Sequence, residues 1–212
     1  MTDNISAMAT LADKQFVLDA VGPLCAPLHE GLERARSIAE GHFIEHDLSE
    51  KEDACGVTHL TRFHLRGLLR KKELGNWTLV GNRLNGQVLL RSDMLRMRLL
   101  HEWPKDGIPA PGSNEARIDY YRNPDVGLYG VQASQLIAVW AITEDGKIDI
   151  RIVRTLGKWK TGQPAKADID FPLPKTWDEL SDLTFTPSAG NINVTLPFED
   201  DEEEGDANST RG

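Results

Sequence analysis

The sequence predicts an α+β protein, with an N-terminal helical segment followed by a mainly antiparallel β-sheet. Three observations carry this prediction. Apolar residues recur at helical spacing up to about residue 50. After Gly75 the apolar period changes to two. The strand-like runs then follow one another through turns instead of alternating with long helices, which argues against a doubly wound parallel sheet.

In chain order, Thr10 followed by Asp13 resembles a capping box with Asp in place of Glu. Leu11, Val17, Leu18, Val21 and Leu24 form a first apolar stripe, which Gly22-Pro23 interrupts. Leu28, Leu32, Ala35, Ala39 and Phe43 form a second, and Gly41 is placed to end or weaken that helix. A third helix is expected over 58–74, capped by Thr58 or Thr61. Arg70-Lys71-Lys72 would lie at the negative end of its dipole and Gly75 would stop it. Val57 to Thr61 also suits a strand.

Trp77 to Val80 reads as a strand, Asn85-Gly86 as a turn and Gln87 to Arg91 as the return strand. Beyond the Ser92-Asp93 turn, Leu95, Met97 and Leu99 alternate with Arg96 and Arg98. Residues 104–114 hold three prolines and two glycines and read as a loop; Ser113 is placed to cap a short helix to Tyr121, ended by Asn123-Pro124. Leu136 to Ile142 is an apolar strand, Glu144-Asp145-Gly146 a hairpin turn, and Ile148, Ile150 and Ile152 an alternating return strand. Gly157 to Trp159 and Ala167 to Phe171 are expected as further strands, with Pro172 and Pro174 closing a sheet of roughly five to seven strands. Period-2 alternation then requires Leu95, Met97, Leu99, Ile148, Ile150 and Ile152 to be buried, with Arg96, Arg98 and Arg151 facing outward.

Charge divides the chain into three parts. Residues 1–56, the acidic helical segment, carry 4 basic and 11 acidic residues, net −7. Residues 57–175 carry 19 and 12, net +7; residues 176–212 carry 1 and 10, net −9. An α+β domain is therefore expected over 57–198, and a disordered acidic tail over 199–212, opened by the run Glu199 to Glu204. A basic middle between acidic ends suits an anionic partner, nucleic acid or an acidic protein surface. It equally suits the chain's own tail occupying that surface. The N-terminal helices are a candidate for self-association.

The two cysteines, Cys25 and Cys55, lack disulfide or metal spacing and read as free thiols of a reducing compartment. No basic patch with an apolar core precedes Asp13, so no signal peptide is expected. The longest apolar run, Leu136 to Ile142, is far short of the roughly 20 residues a membrane helix needs. These features predict a cytoplasmic protein without a membrane partner.

The candidate anion-binding residues are Arg62, Arg66 and Arg70, spaced as one helical stripe; Arg96 and Arg98 on one strand face; Arg117 and Arg122 flanking Tyr120-Tyr121; and Arg151, Lys158 and Lys160 around Trp159. Arginine forks near aromatic rings suit phosphate contact and base stacking. His42 and His46 form an H-x-x-E-H match with Glu45. Its two imidazoles one turn apart can bind zinc, but no third ligand is visible in sequence. His59 and His64, five residues apart, do not share a helical face. Lys166, Asp168 and Asp170 share a strand face in the manner of a Mg²⁺ nuclease. No phosphate-binding glycine loop or nucleophile elbow occurs. The leading expectation is a non-enzymatic binding or regulatory protein with no cofactor and no metal. The alternative is a small metal-dependent hydrolase or nuclease.

Overall fold

The computed structural model of the chain describes residues 11–81, 86–102, 107–112, 115–123, 134–157, 159 and 163–181. Helix α1 (Leu11–Val21) meets α2 (Cys25–Glu45) through a single 3-10 turn at Gly22–Leu24, where Pro23 breaks the α-helical bonding. Helix α3 (Ala54–Leu69) follows. Strands β1 (Thr78–Leu79), β2 (Leu89–Arg91) and β3 (Leu95–His101) precede α4 (Glu115–Arg122); β4 (Ser134–Ile142), β5 (Ile148–Leu156) and β6 (Lys166–Pro172) precede the short α5 (Trp177–Ser181). Among the described residues the strands form one six-stranded sheet in sequence order. The expected α+β class is therefore the observed one.

Four of the five strand pairings are antiparallel. The exception is β3–β4, which runs parallel from Leu95↔Ser134 to His101↔Trp140. A parallel pair cannot be joined by a tight turn, and the link after β3 carries α4. Helices consequently cover both faces of the sheet at its centre. On one face Leu90, Leu95, Met97, Leu99, Leu136, Ala138, Trp140, Ile150, Ile152 and Phe171 pack with Leu24, Leu28, Leu32 and Leu65 of the helices. On the other, Ile137, Val139 and Val153 pack with Tyr121 of α4. This explains why Leu136 to Trp140 are all buried without alternation, as in strands covered twice. The six apolar residues expected to be buried in β3 and β5 are buried. Arg96 is exposed, whereas Arg98 and Arg151 are half-buried.

Local departures from the sequence reading have physical causes. Helix α3 starts earlier and ends sooner than 58–74. Thr58 and Thr61 lie inside it and bond their hydroxyls back to the Ala54 and Val57 carbonyls (3.0 and 2.8 Å) instead of capping. Arg70-Lys71-Lys72 follow the last turn of the helix, and Gly75 adopts φ +59 with its backbone against Pro23. Neither Gly157 nor Trp159 is in a strand: Gly157 turns the chain at φ +69 directly after β5. Pro172 is the last residue of β6, not a residue beyond it. Thr10, Asn85, Ser113, Pro124, Lys158, Lys160 and the acidic tail lie outside the described residues.

Two polar devices fix the layers. The Arg66 guanidinium, on α3, donates to the Gln87 and Val80 carbonyls (2.7 and 3.1 Å), holding the β1–β2 end of the sheet to the helical layer. Asn123 ends α4 at φ +33. Its amide bonds both backbone groups of Gln135 (2.6 and 2.7 Å) and the Thr155 carbonyl (3.0 Å), while the Thr155 hydroxyl donates to the Tyr121 carbonyl (2.8 Å). An amide of four hydrogen-bonding sites is well suited to stitch a helix end to two strands.

Candidate functional site

Several of the basic residues are engaged by the fold. Arg66 is buried and holds backbone carbonyls as described. Arg151 bonds Asp170 (2.9 Å), Glu102 (3.3 Å) and the Gly107 carbonyl (3.2 Å). Arg122 pairs with Asp119 (3.0 Å), and Arg70 is exposed beyond the end of α3. Arg66 therefore does not extend an open arginine stripe from Arg62 to Arg70.

Arg96 and Arg98 lie on the face of β3 that α4 covers, beside Tyr120, whereas Arg62 of α3 feels the charge of Arg117 of α4. The Arg98 guanidinium lies 5.2 Å from the centre of the Tyr120 ring. Tyr120 donates its hydroxyl to the Leu136 and Arg96 carbonyls (2.8 and 3.0 Å). Burial pushes the Tyr120 phenol far above its ordinary value, with the charges of Arg98 and Arg96 opposing. Burial likewise pushes Tyr121 up to about 12, opposed by Arg117 and Arg98. Both phenols therefore remain neutral donors across the physiological range.

Arg62 lies within reach of the Arg117 charge. It donates to His59 Nδ1 (2.9 Å), while its Nε is buried with no hydrogen-bond partner among the described residues. Burial lowers the ordinary value of its guanidinium, and Arg117 acts in the same direction. Burial and then Arg62 hold His59 below its usual range. His101 is lowered first by burial; Glu102 opposes, and Arg36 and Arg62 reinforce. Its ring stands edge-on to Trp140 at 4.5 Å, and the Trp140 Nε1 is buried with no hydrogen-bond partner among the described residues. Arg36, by contrast, is engaged by Glu40 and Glu50 (2.6 and 2.5 Å). Like charges held together, with an unused buried donor, make a place where an anion is stabilised by charge and by hydrogen bonding at once.

Arg36 and Trp140 are not among the residues the sequence points to as a site, and His101 shows no positioned partner in sequence. His101 ends an ordinary-looking strand, and only the α2–α3 pair lying over that strand gives it cationic neighbours. The cleft of about 830 Å³ beside the β4–β5 turn lies elsewhere; it takes in His29, Glu102 and Arg151 but none of Arg62, Arg98 or Arg117. His29 bonds the Leu173 carbonyl there (2.7 Å), which gives it a role in packing.

The acidic pair read as a nuclease set is differently employed. Asp168 has a fully buried side chain and accepts two bonds from Arg154 (3.0 and 2.5 Å). Asp170 faces Arg151; burial holds its carboxyl above the usual value, and Arg151 opposes. His42, Glu45 and His46 bring one ligand atom each within 4.8 Å of one another. His64 of α3 stacks on His42 at 5.3 Å and 15°. Burial, followed by the charge of His42, lowers His64. No helix among the described residues is long and apolar enough to cross a membrane. The chain matches no protein-family model, no curated protein and no solved structure.

Proposed function

We propose that this chain is a cytoplasmic, non-enzymatic binding protein that holds nucleic acid by its phosphates, through Arg62 and Arg117 with His59 and His101 beside them. The observation that carries the reading is the Arg62 guanidinium: half-buried, near the cationic Arg117, with a buried Nε that has no partner among the described residues. A phosphate oxygen supplies both the missing acceptor and the missing charge. Tyr120 has its hydroxyl committed to carbonyls and Arg98 near its ring, so contact is to backbone phosphates rather than through base stacking. Binding should consequently be indifferent to sequence. The reading of Asp168 and Asp170 as metal ligands of a nuclease has less support, since each carboxylate is engaged by an arginine.

The test is a titration of the full chain with single- and double-stranded DNA and RNA over a range of salt. Log affinity should fall linearly with log salt. Arg62→Gln and Arg117→Gln should each weaken binding to all sequences alike and reduce the salt slope by about 1. Absence of binding to every form at low salt refutes the proposal; capture of an acidic protein alone would redirect the same surface to that partner.

A further inference from the structure

We propose that the end of α2 and the facing side of α3 form a divalent metal site of borderline softness, best suited to zinc, with His42, His46 and His64 as nitrogen ligands and Glu45 as the oxygen ligand. His42 and His46 are four residues apart, so their rings rise from one face in successive turns. The ligand atoms of His42, Glu45 and His46 lie within 4.8 Å of one another. A metal with bonds of about 2.0–2.1 Å to nitrogen draws such atoms to about 3.4 Å apart, a shift that exposed side chains make by small rotations.

The feature that turns a common surface pattern into a site is His64. It comes from the other helix, and its ring lies 5.3 Å from that of His42. Two imidazoles bound to one tetrahedral ion have ring centres about 5 Å apart, so the spacing fits, and a turn of the now stacked rings, 15° from parallel, would aim both nitrogens at one ion. The backbone beneath is held in place. Phe43 packs on Val57 across the helix pair, and Arg36 links Glu40 to Glu50 in the segment after α2. Three imidazoles and one carboxylate complete four-coordination, the arrangement of a closed structural centre rather than of a catalytic one with an open position. The ion would staple the last turn of α2 to the middle of α3. Imidazole donors also accept nickel and copper, so selectivity is a matter of availability as well as affinity.

The experiment is calorimetric titration of the full-length, chelator-treated chain with zinc chloride, compared with His46→Ala, His64→Ala and His59→Ala. One zinc per chain is expected. His46→Ala and His64→Ala should each weaken it at least about 10-fold, the least that loss of even an outer-sphere partner costs, and His59→Ala should leave it unchanged. Circular dichroism of each variant checks that the helices persist, and Glu45→Gln provides a fourth variant at an exposed position. Loss of affinity in both His46→Ala and His64→Ala establishes the bridge between helices. Zinc binding that is absent, that exceeds one per chain without saturation, or that is indifferent to His64→Ala overturns it.

Discussion

The Arg154–Asp168 pair gives the sharpest test of how the sheet is held. Arg154 is 6 % exposed, and the Asp168 side chain is fully buried. Their two parallel hydrogen bonds, at 3.0 and 2.5 Å, lie beside the irregularity between Arg154 and Thr155 in the β5–β6 register. Replacing Arg154 by Met keeps much of the aliphatic volume but leaves a carboxylate in the interior without its counter-charge. Removing one partner of a buried pair costs about 3–5 kcal/mol, against a typical whole-domain stability of about 5–15 kcal/mol. With a urea slope of about 2 kcal/mol per molar, Arg154→Met should lower the unfolding midpoint by roughly 2 M. The double variant Arg154→Met, Asp168→Leu removes the stranded charge as well. It should recover to within about 1 kcal/mol of the parent, because apolar replacement of a whole buried pair is often neutral. The assay is equilibrium urea unfolding followed by circular dichroism. A single variant that loses less than about 1 kcal/mol, or a double variant no better than the single, would refute the claim that desolvation of Asp168 governs this part of the sheet.

Four further outcomes follow from other parts of the structure. Leu65, fully buried between α2 and α3, should cost about 2–5 kcal/mol as Leu65→Ala in the same urea assay. A Cβ on Gly22 would fall 1.4 Å from Cζ3 of Trp177. Trp177 is 44 % exposed and able to move outward, so Gly22→Ala should release α5 and shift tryptophan emission to the red without unfolding the sheet. Cys25 is raised from 9.0 to about 11, chiefly by burial, so the folded state keeps its proton where the unfolded chain loses it. That contribution is complete below pH 9.0 and is lost as pH rises towards about 11, a decline that urea midpoints should show and that Cys25→Ala should flatten. His101 lies below its ordinary 6.5, among Glu102, Arg36 and Arg62. A bound phosphate would raise it, so anion affinity should increase as pH falls through and below 6.5 in the parent and less steeply in His101→Ala, measured by the DNA titration at constant salt.

The sequence made some of this legible and hid the rest for a physical reason. Leu95, Met97 and Leu99, and Ile148, Ile150 and Ile152, announce their faces because a strand repeats every two residues whatever it pairs with. The Glu144-Asp145-Gly146 turn is equally local: Gly146 adopts φ +78 and the Thr143 hydroxyl accepts the Lys147 amide. Direction of pairing is another matter. Nothing in Leu95 to His101 states that its neighbour β4 will run parallel, since that depends on a distant segment returning to the same edge. The same holds at the sites. His59 and His64 look unrelated to His42 as long as α3 is considered alone; packing of α3 on α2 puts His64 against His42 and leaves His59 with Arg62. Arg66 has the same spacing as Arg62 and Arg70, yet it ends on the carbonyls of Val80 and Gln87, because those residues, flanking β1 and β2, lie beside that part of α3.

The parallel β3–β4 pairing also has a consequence for how this chain is made. During synthesis the helices and β1 to β3 emerge first, and the open edge of β3 has no neighbour until Ser134 to Ile142 has left the ribosome. An unpaired edge with buried-type residues such as Leu95, Met97 and Leu99 on one face is a template for wrong partners. Domains held by such distant pairings fold late and expose these edges meanwhile. A chain interrupted between β3 and β4 would thus be a hazard to its host, and the interval in which α4 is translated is when a chaperone has most to protect.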